Sequence, residues 1–247
     1  MANQPQAAGD PAPHPLWFSP PGGDQTHRRT LTRQRVIAEA LAVISADGVQ
    51  ALSMRALAAR LGVVPGALYR HVRSKEQLHD LVLDAVLAEV DCRADPALPP
   101  IAQVVVLAHR LRAVLEDHSG IAALLKTRDP LSPASLALAE AFLAALHAAN
   151  LPGRQAALAF RLIYDYTLGF ALAGPASPAE QRLGDGAARQ QLHAFLRSLP
   201  TSRFPTLATY GTYAWANDRE ERFTSGLDTL MCGLQAAQRS PESSHAS

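Results

Sequence analysis

The residues best equipped for chemistry lie close together between Leu52 and Lys75: Ser53, Arg55, Tyr69, Arg70, His71 and Lys75. This stretch offers hydrogen-bond donors and a phenol but no carboxylate, so it suits an anionic partner better than acid–base catalysis. An arginine can present two parallel donors to a guanine edge, while lysine, tyrosine and serine donate to phosphate oxygens. Nothing elsewhere competes with this cluster. There is no Gly-x-Ser-x-Gly elbow, and no nucleophile has a base at catalytic spacing. His109, His118 and His147 lack the paired spacing that holds zinc, and Gly184-Asp-Gly-Ala-Ala-Arg lacks the third glycine of a nucleotide loop. No metal and no cofactor is expected.

The elements that must position the cluster are helical. Alanine and leucine dominate the 247 residues, aromatics make up 6%, and no run is rich in β-branched residues, so the expected class is all-α. Val36, Ile37, Ala40, Leu41 and Ile44 form one apolar face over about 32–46, and Gly48 suits a left-handed cap. Ser53 caps a second helix, Gly62 supplies a turn, and Pro65 opens a third helix that carries Tyr69, Arg70 and His71 outward. Ser74-Lys-Glu-Gln77 reads as a capping box for a fourth helix reaching Cys92. Two helices broken by a tight glycine turn are how a chain presents a rigid rod to a DNA major groove.

Charge follows the same division. Nine Lys and Arg against two acids between Arg28 and Lys75 leave a local surplus of +7, although the whole chain carries only +1. A basic head on an acidic body points to a polyanion bound at the head alone. Two cysteines make no disulfide framework and suit a reducing, cytoplasmic setting, while no segment has the apolar length of a membrane span or the pattern of an export signal.

Residues 1–29, rich in proline, are expected to be a disordered tail in which Trp17 and Phe18 stand out and Arg28 and Arg29 form a basic arm. The DNA-binding domain is expected over 30–90 and a regulatory, ligand-binding and dimerisation domain over 91–237, with a frayed tail at 238–247. The proline cluster Asp95–Pro100 marks the hinge. Helices are expected at about 101–118, 120–126, 133–149, 153–173 and, after a mostly looped 174–205 with a short helix from Ala187 to Leu199, from Asn217-Asp218 to 237.

From Leu31-Thr-Arg-Gln-Arg through Gly48, then Leu52-Ser-Met-Arg-Ala-Leu-Ala-Ala-Arg-Leu-Gly-Val and Leu68-Tyr-Arg-His-Val-Arg-Ser-Lys-Glu-Gln-Leu, the sequence resembles the TetR family of bacterial regulators. Arg203-Phe-Pro-Thr-Leu and Glu221-Arg-Phe-Thr-Ser-Gly-Leu resemble the C-terminal domain of its tetracycline-repressor branch. The resemblance implies a homodimer on a near-palindromic operator, released by a small-molecule effector. It implies that Arg55 reaches a base edge from the helix that Ser53 opens, and that Pro65, Gly66 and Ala67 line the front of the recognition helix. It further implies that Tyr69, His71 and Lys75 hold phosphates. Arg70 is expected to read a guanine. Leu124 and Ala173 fall where tetracycline repressors bind magnesium, and neither can ligate a hard cation, so a magnesium–tetracycline effector is disfavoured.

The body offers Val106, His109, Leu124, Thr127, Phe142, His147, Phe160 and Tyr164 as ligand contacts, a set that suits a largely apolar effector. Gly169, Phe223, Gly226, Leu230, Gly233 and Leu234 are expected in a four-helix dimer seam, with packing inside one subunit as the alternative. Three other readings stay open at this point: an activator, a DNA binder without an effector, and an all-α enzyme with an accessory helix-turn-helix.

Overall fold

The computed structural model describes residues 31–118, 120–128, 131–173, 186–216 and 219–239, and all regular structure among them is helical. Residues 1–30 with Trp17, Phe18, Arg28 and Arg29, then Gly184, Asp185, Asn217-Asp218 and 240–247 lie outside the described residues, whereas Gly186–Arg189 of the expected Gly184 loop and residues 238–239 of the expected frayed tail are helical.

Helix α1 (Arg33–Asp47) starts where Thr32 Oγ1 accepts the Arg35 N–H at 3.2 Å, and it buries Val36, Ala40, Val43 and Ile44 along one face. Gly48 does not form the expected left-handed cap. Its φ of 81° with ψ of 167° is an extended conformation open to glycine, and it sends the chain directly into a 3-10 turn at Val49–Ala51. Helix α2 (Met54–Leu61) is capped by Ser53 Oγ, which accepts the Ala56 N–H at 3.1 Å. Gly62 then takes the left-handed conformation expected of the turn.

The third helix is shorter than its sequence suggests. Helix α3 covers only Pro65–Leu68, and Tyr69–His71 follow as a tight turn in which the His71 and Val72 N–H groups share the Leu68 carbonyl at 2.8 and 3.0 Å. The next cap comes too soon to permit more. Gln77 Oε1 takes the Arg73 N–H at 2.6 Å while Ser74 Oγ takes the Gln77 N–H at 3.1 Å, so the expected box closes one residue early. Helix α4 (Lys75–Leu87) also stops before Cys92, because Glu89 and Val90 donate to carbonyls only three residues back and unwind its end.

The body comprises α5 (Pro100–Asp117), α6 (Ile121–Thr127), α7 (Pro133–Ala148), α8 (Gly153–Leu172), α9 (Gly186–Arg197), α10 (Pro205–Ala216) and α11 (Arg219–Arg239). Helix α10 falls between the expected loop, which ends at 205, and the expected last helix, a stretch to which the sequence assigns no element. Its Thr206, Thr209, Gly211 and Thr212 are poor helix formers, but packing against α9 overrides propensity. A Cβ on Gly211 would lie 3.3 Å from the buried Leu196 of α9, so the glycine lets the two helices close.

Helices α5, α7 and α8 pack on one another, and α11 lies on α8. Helix α4 touches α1 in the head and α5, α6 and α7 in the body, which makes it the bridge. Polar clasps reinforce it. Arg128 Nε donates to Asp80 at 2.8 Å, Asp84 accepts the Ala134 N–H at 2.9 Å, and His118 Nε2 lies 2.9 Å from Glu89.

Candidate nucleic-acid interface and body cavities

Leu57, Leu68, Val72, Leu78 and Val82 fill the core of the head and leave one edge of it outward. On that edge Val64 is 71% exposed and Tyr69 52% exposed, with Arg55, Pro65, Gly66 and Arg70 beside them. His71 and Lys75 are half-buried at its margin. Ala67 is the exception to the expected front: at 7% exposure it packs inward with Leu68. A helix of one turn needs two consecutive anchors to keep its orientation, and Ala67 is the second. Val64, absent from the expected set, takes the outward place.

Arg60 is paired with Glu39 at 2.5 Å, whereas Arg55, Arg70, Arg73 and Lys75 have no ion-pair partner among the described residues. These cations form an edge where water or an anion must satisfy them. The Ser53 hydroxyl is engaged as an acceptor by the cap but keeps its proton to donate. Behind Lys75, burial of His79 depresses its pKa, Lys75 and Arg128 add to the effect, and its Nε2 is buried without a partner.

The eight expected ligand contacts do not converge. Phe142 is fully buried against Phe160, with ring centroids 5.7 Å apart, and Leu124 is buried in α6. Thr127 turns its hydroxyl back onto the Leu124 carbonyl at 3.0 Å, and His147 is exposed on α7. His109 meets Phe223 edge-on at 5.0 Å with Nδ1 3.3 Å from Glu220, and burial lowers its pKa against the pull of that carboxylate. Phe160 and Tyr164 line a small cavity of about 160 Å³ near the end of α4.

Only Val106 borders the larger cavity, a cleft of about 350 Å³ between α5, α7 and the linker from α4 to α5. Its other walls were not foreseen: Cys92, Leu98, Gln103, Arg110 and an alanine row on α7. Arg110 Nη1 donates to the carbonyls of Asp91 and Arg93 at 2.7 and 3.0 Å, strapping the linker to α5. Hydrogen bonds from Arg93 hold the Asp91 carboxyl well below the usual carboxylate range, and burial pushes the Cys92 thiol up.

Two of the six expected seam residues serve the interior instead. Phe223 is fully buried in its own chain, stacked on Tyr166 at 5.4 Å and edge-on to Phe170. A Cβ on Gly226 would lie 2.0 Å from Tyr166 Oη, which donates to the Arg222 and Phe223 carbonyls at 3.2 and 3.0 Å. The close helix approach expected at Gly226 is therefore real but lies inside one subunit. Gly169 and Gly233 are exposed, and Leu230 and Leu234 half-buried. Along α8, Leu158, Leu162 and Leu172 add an exposed apolar row on the side of Gly169.

A one-turn helix held outward by a three-helix core, bridged by one helix to a larger helical body, defines a helix-turn-helix DNA-binding regulator. The profile for bacterial regulatory proteins of the tetR family matches residues 36–82, and that for the tetracyclin repressor-like C-terminal domain matches 96–238. An HTH-type transcriptional regulator of Saccharopolyspora erythraea is 32% identical over 91% of this chain and 93% of its own. The HTH-type transcriptional repressor DrrR1 of Streptomyces coeruleorubidus is 29% identical over 92% and 87%. ActR of Streptomyces coelicolor in complex with actinorhodin superposes with a TM-score of 0.73 at 31% identity, covering 85% of this chain and 99% of that one. The chain belongs to the TetR family of transcriptional regulators, and no described helix is long and apolar enough to cross a membrane.

Proposed function

We propose that this chain is a ligand-responsive transcriptional repressor that binds a near-palindromic operator as a homodimer and leaves it when a small, largely apolar effector occupies the body. Residues 30–90 read DNA, and 91–237 dimerise and sense. The observation that carries this reading is the outward edge of Tyr69, Arg70, Arg55 and Gly66, whose cations lack ion-pair partners among the described residues. Arg70 reads a guanine, while Tyr69, His71 and Lys75 hold phosphates. Repression is favoured by the likeness to DrrR1, and an effector by the ligand-bound ActR structure.

Dimerisation is supported by the exposed row of Leu158, Leu162, Gly169 and Leu172, a mainly apolar face crossed by the Arg161–Asp165 pair, that a second copy would cover. Two identical heads then meet successive major grooves about 34–36 Å apart.

Operator binding tests the reading. DNA flanking the protein's own coding region is compared with random duplex at several salt concentrations. Arg70→Ala weakens operator binding alone, by about 1–3 kcal/mol, whereas Lys75→Ala weakens both duplexes and lowers the salt slope by about one. Equal losses for Arg70→Ala on both would remove its base-reading role. In sedimentation, Leu158→Glu with Leu162→Glu yields a folded monomer, and a dimer that survived both charges would place the seam elsewhere.

A further inference from the structure

We infer that Val64 reads the C5-methyl group of a pyrimidine in the operator, which makes it a specificity-determining residue beside the arginines. The inference rests on the regulator reading above and gives its recognition edge an apolar contact as well as cationic ones.

The head caps its helices by one rule and breaks it once. Thr32, Ser53 and Ser74 open α1, α2 and α4, and each side chain accepts a backbone N–H three residues on. Val64 opens α3 with no side-chain bond. Serine, threonine or aspartate at that position would stabilise the turn, and nothing packs there to demand an apolar group, since Val64 is 71% exposed. A lone exposed valine is ordinary. This one displaces a cap, and it does so on the edge that carries Arg55, Tyr69 and Arg70.

Its neighbours narrow what it can read. Val64, Pro65 and Gly66 are exposed in succession before Ala67 and Leu68 turn inward. None of the three has a side chain that donates or accepts a hydrogen bond, so they cannot read the polar edge of a base. The major groove offers them one apolar group, the methyl at C5 of thymine. Cytosine methylated at C5 presents the same group.

The valine is also rigid. Pro65 confines the residue before it to extended backbone, and Val64 lies there at φ −75° and ψ 145°. The Val63 N–H donates to the Ala58 carbonyl at 3.0 Å, and the Val64 carbonyl accepts the Ala67 N–H at 2.9 Å. Branching at Cβ restricts χ1 as well, so the side chain meets a base with little left to order. Gly66, where an added Cβ would meet nothing within 4 Å, leaves the duplex room to approach.

The test uses the full chain and an operator taken from the DNA that it protects. Each thymine of a half-site is replaced in turn, in both half-sites, by deoxyuridine, which keeps every hydrogen-bonding group and loses only the methyl. At one position wild-type affinity is expected to fall by about fourfold per half-site, the scale of one buried carbon. Val64→Ala binds the thymine operator more weakly by a similar factor and loses most of its preference for thymine over uracil there. Val64→Ser supplies the missing cap, so its Tm holds or rises while the preference disappears, and unfolding is not the cause. With cytosine at the sensitive position, C5 methylation raises wild-type affinity and leaves Val64→Ala nearly unmoved. A uracil effect without a cytosine-methylation effect supports the same contact with thymine as its only source.

Wild-type binding that ignores every uracil substitution overturns the proposal. So does a Val64→Ala protein that keeps the wild-type preference for thymine, since another residue would then hold the methyl. Failure of wild-type protein to bind any operator defeats the regulator reading instead.

Discussion

Two glycines, Gly66 in the head and Gly226 in the body, show how one residue type serves opposite ends. A Cβ at Gly66 would meet nothing within 4 Å, while one at Gly226 would overlap the Tyr166 phenol. The first is small with its front left open, as a surface kept for another molecule requires. The second is small because its own chain already occupies the space. The tyrosines differ in the same way. Tyr69 stands exposed on the edge, whereas Tyr166 is stacked on Phe223 and tied to two carbonyls of α11. An interaction surface is recognised by what it leaves unsatisfied, and a core by what it has closed.

Gly226→Ala should break the closed side of this comparison with the largest effect. Better helix propensity offsets about 1 kcal/mol, but displacing Tyr166 loses its hydrogen bonds and its stacking. The net loss is about 2 kcal/mol, or roughly 4–8 °C in Tm, measured by thermal denaturation. An unchanged Tm would mean that the α8–α11 contact is slack.

Gly66→Ala should do the reverse. The melting temperature holds or rises, because the added methyl meets no atom, while operator affinity drops by about tenfold, the scale of one mismatched base pair. A variant that binds DNA normally would show that this edge does not approach the duplex closely.

The smallest effect concerns pH and sharpens the contrast through two histidines. His79 in the head and His109 in the body both have pKa values depressed by burial below 6.5. Below that pH the unfolded chain takes up more protons than the folded one, so stability falls on acidification through 6.5 and towards the folded values. His79→Gln should flatten the decline of Tm with pH without abolishing it, since His109 supplies the remainder. A slope unaltered in His79→Gln would show that His79 contributes nothing.

Legibility differed between the two regions as sharply as their glycines. In the head, Ser53, Pro65, Gly62 and Ser74 mark their helix boundaries through bonds to residues a few positions away, and each reading holds to within a residue or two. The length of α3 escaped because Tyr69 and Arg70 carry no stop signal; the halt comes from Gln77 reaching back to Arg73. In the body the helices were legible except α10, which the sequence leaves unassigned because its threonines and glycine give no helix signal until α9 packs on them. The expected ligand contacts were drawn to aromatic residues and do not border one cavity, whereas the alanine row on α7 that lines the larger cleft reads as ordinary helix.

The helix-turn-helix, the basic head and the family were written locally, in caps, periodicity and charge, since a helix is specified by neighbours three and four residues apart. The cleft, the Arg110 strap and the Tyr166 contact were decided by packing. Arg110 reaches back 19 residues to Asp91, and Tyr166 bonds a carbonyl 57 residues away. No local pattern encodes such pairs, because their energy exists only after α4, α5, α7, α8 and α11 have docked and the space between them has been settled.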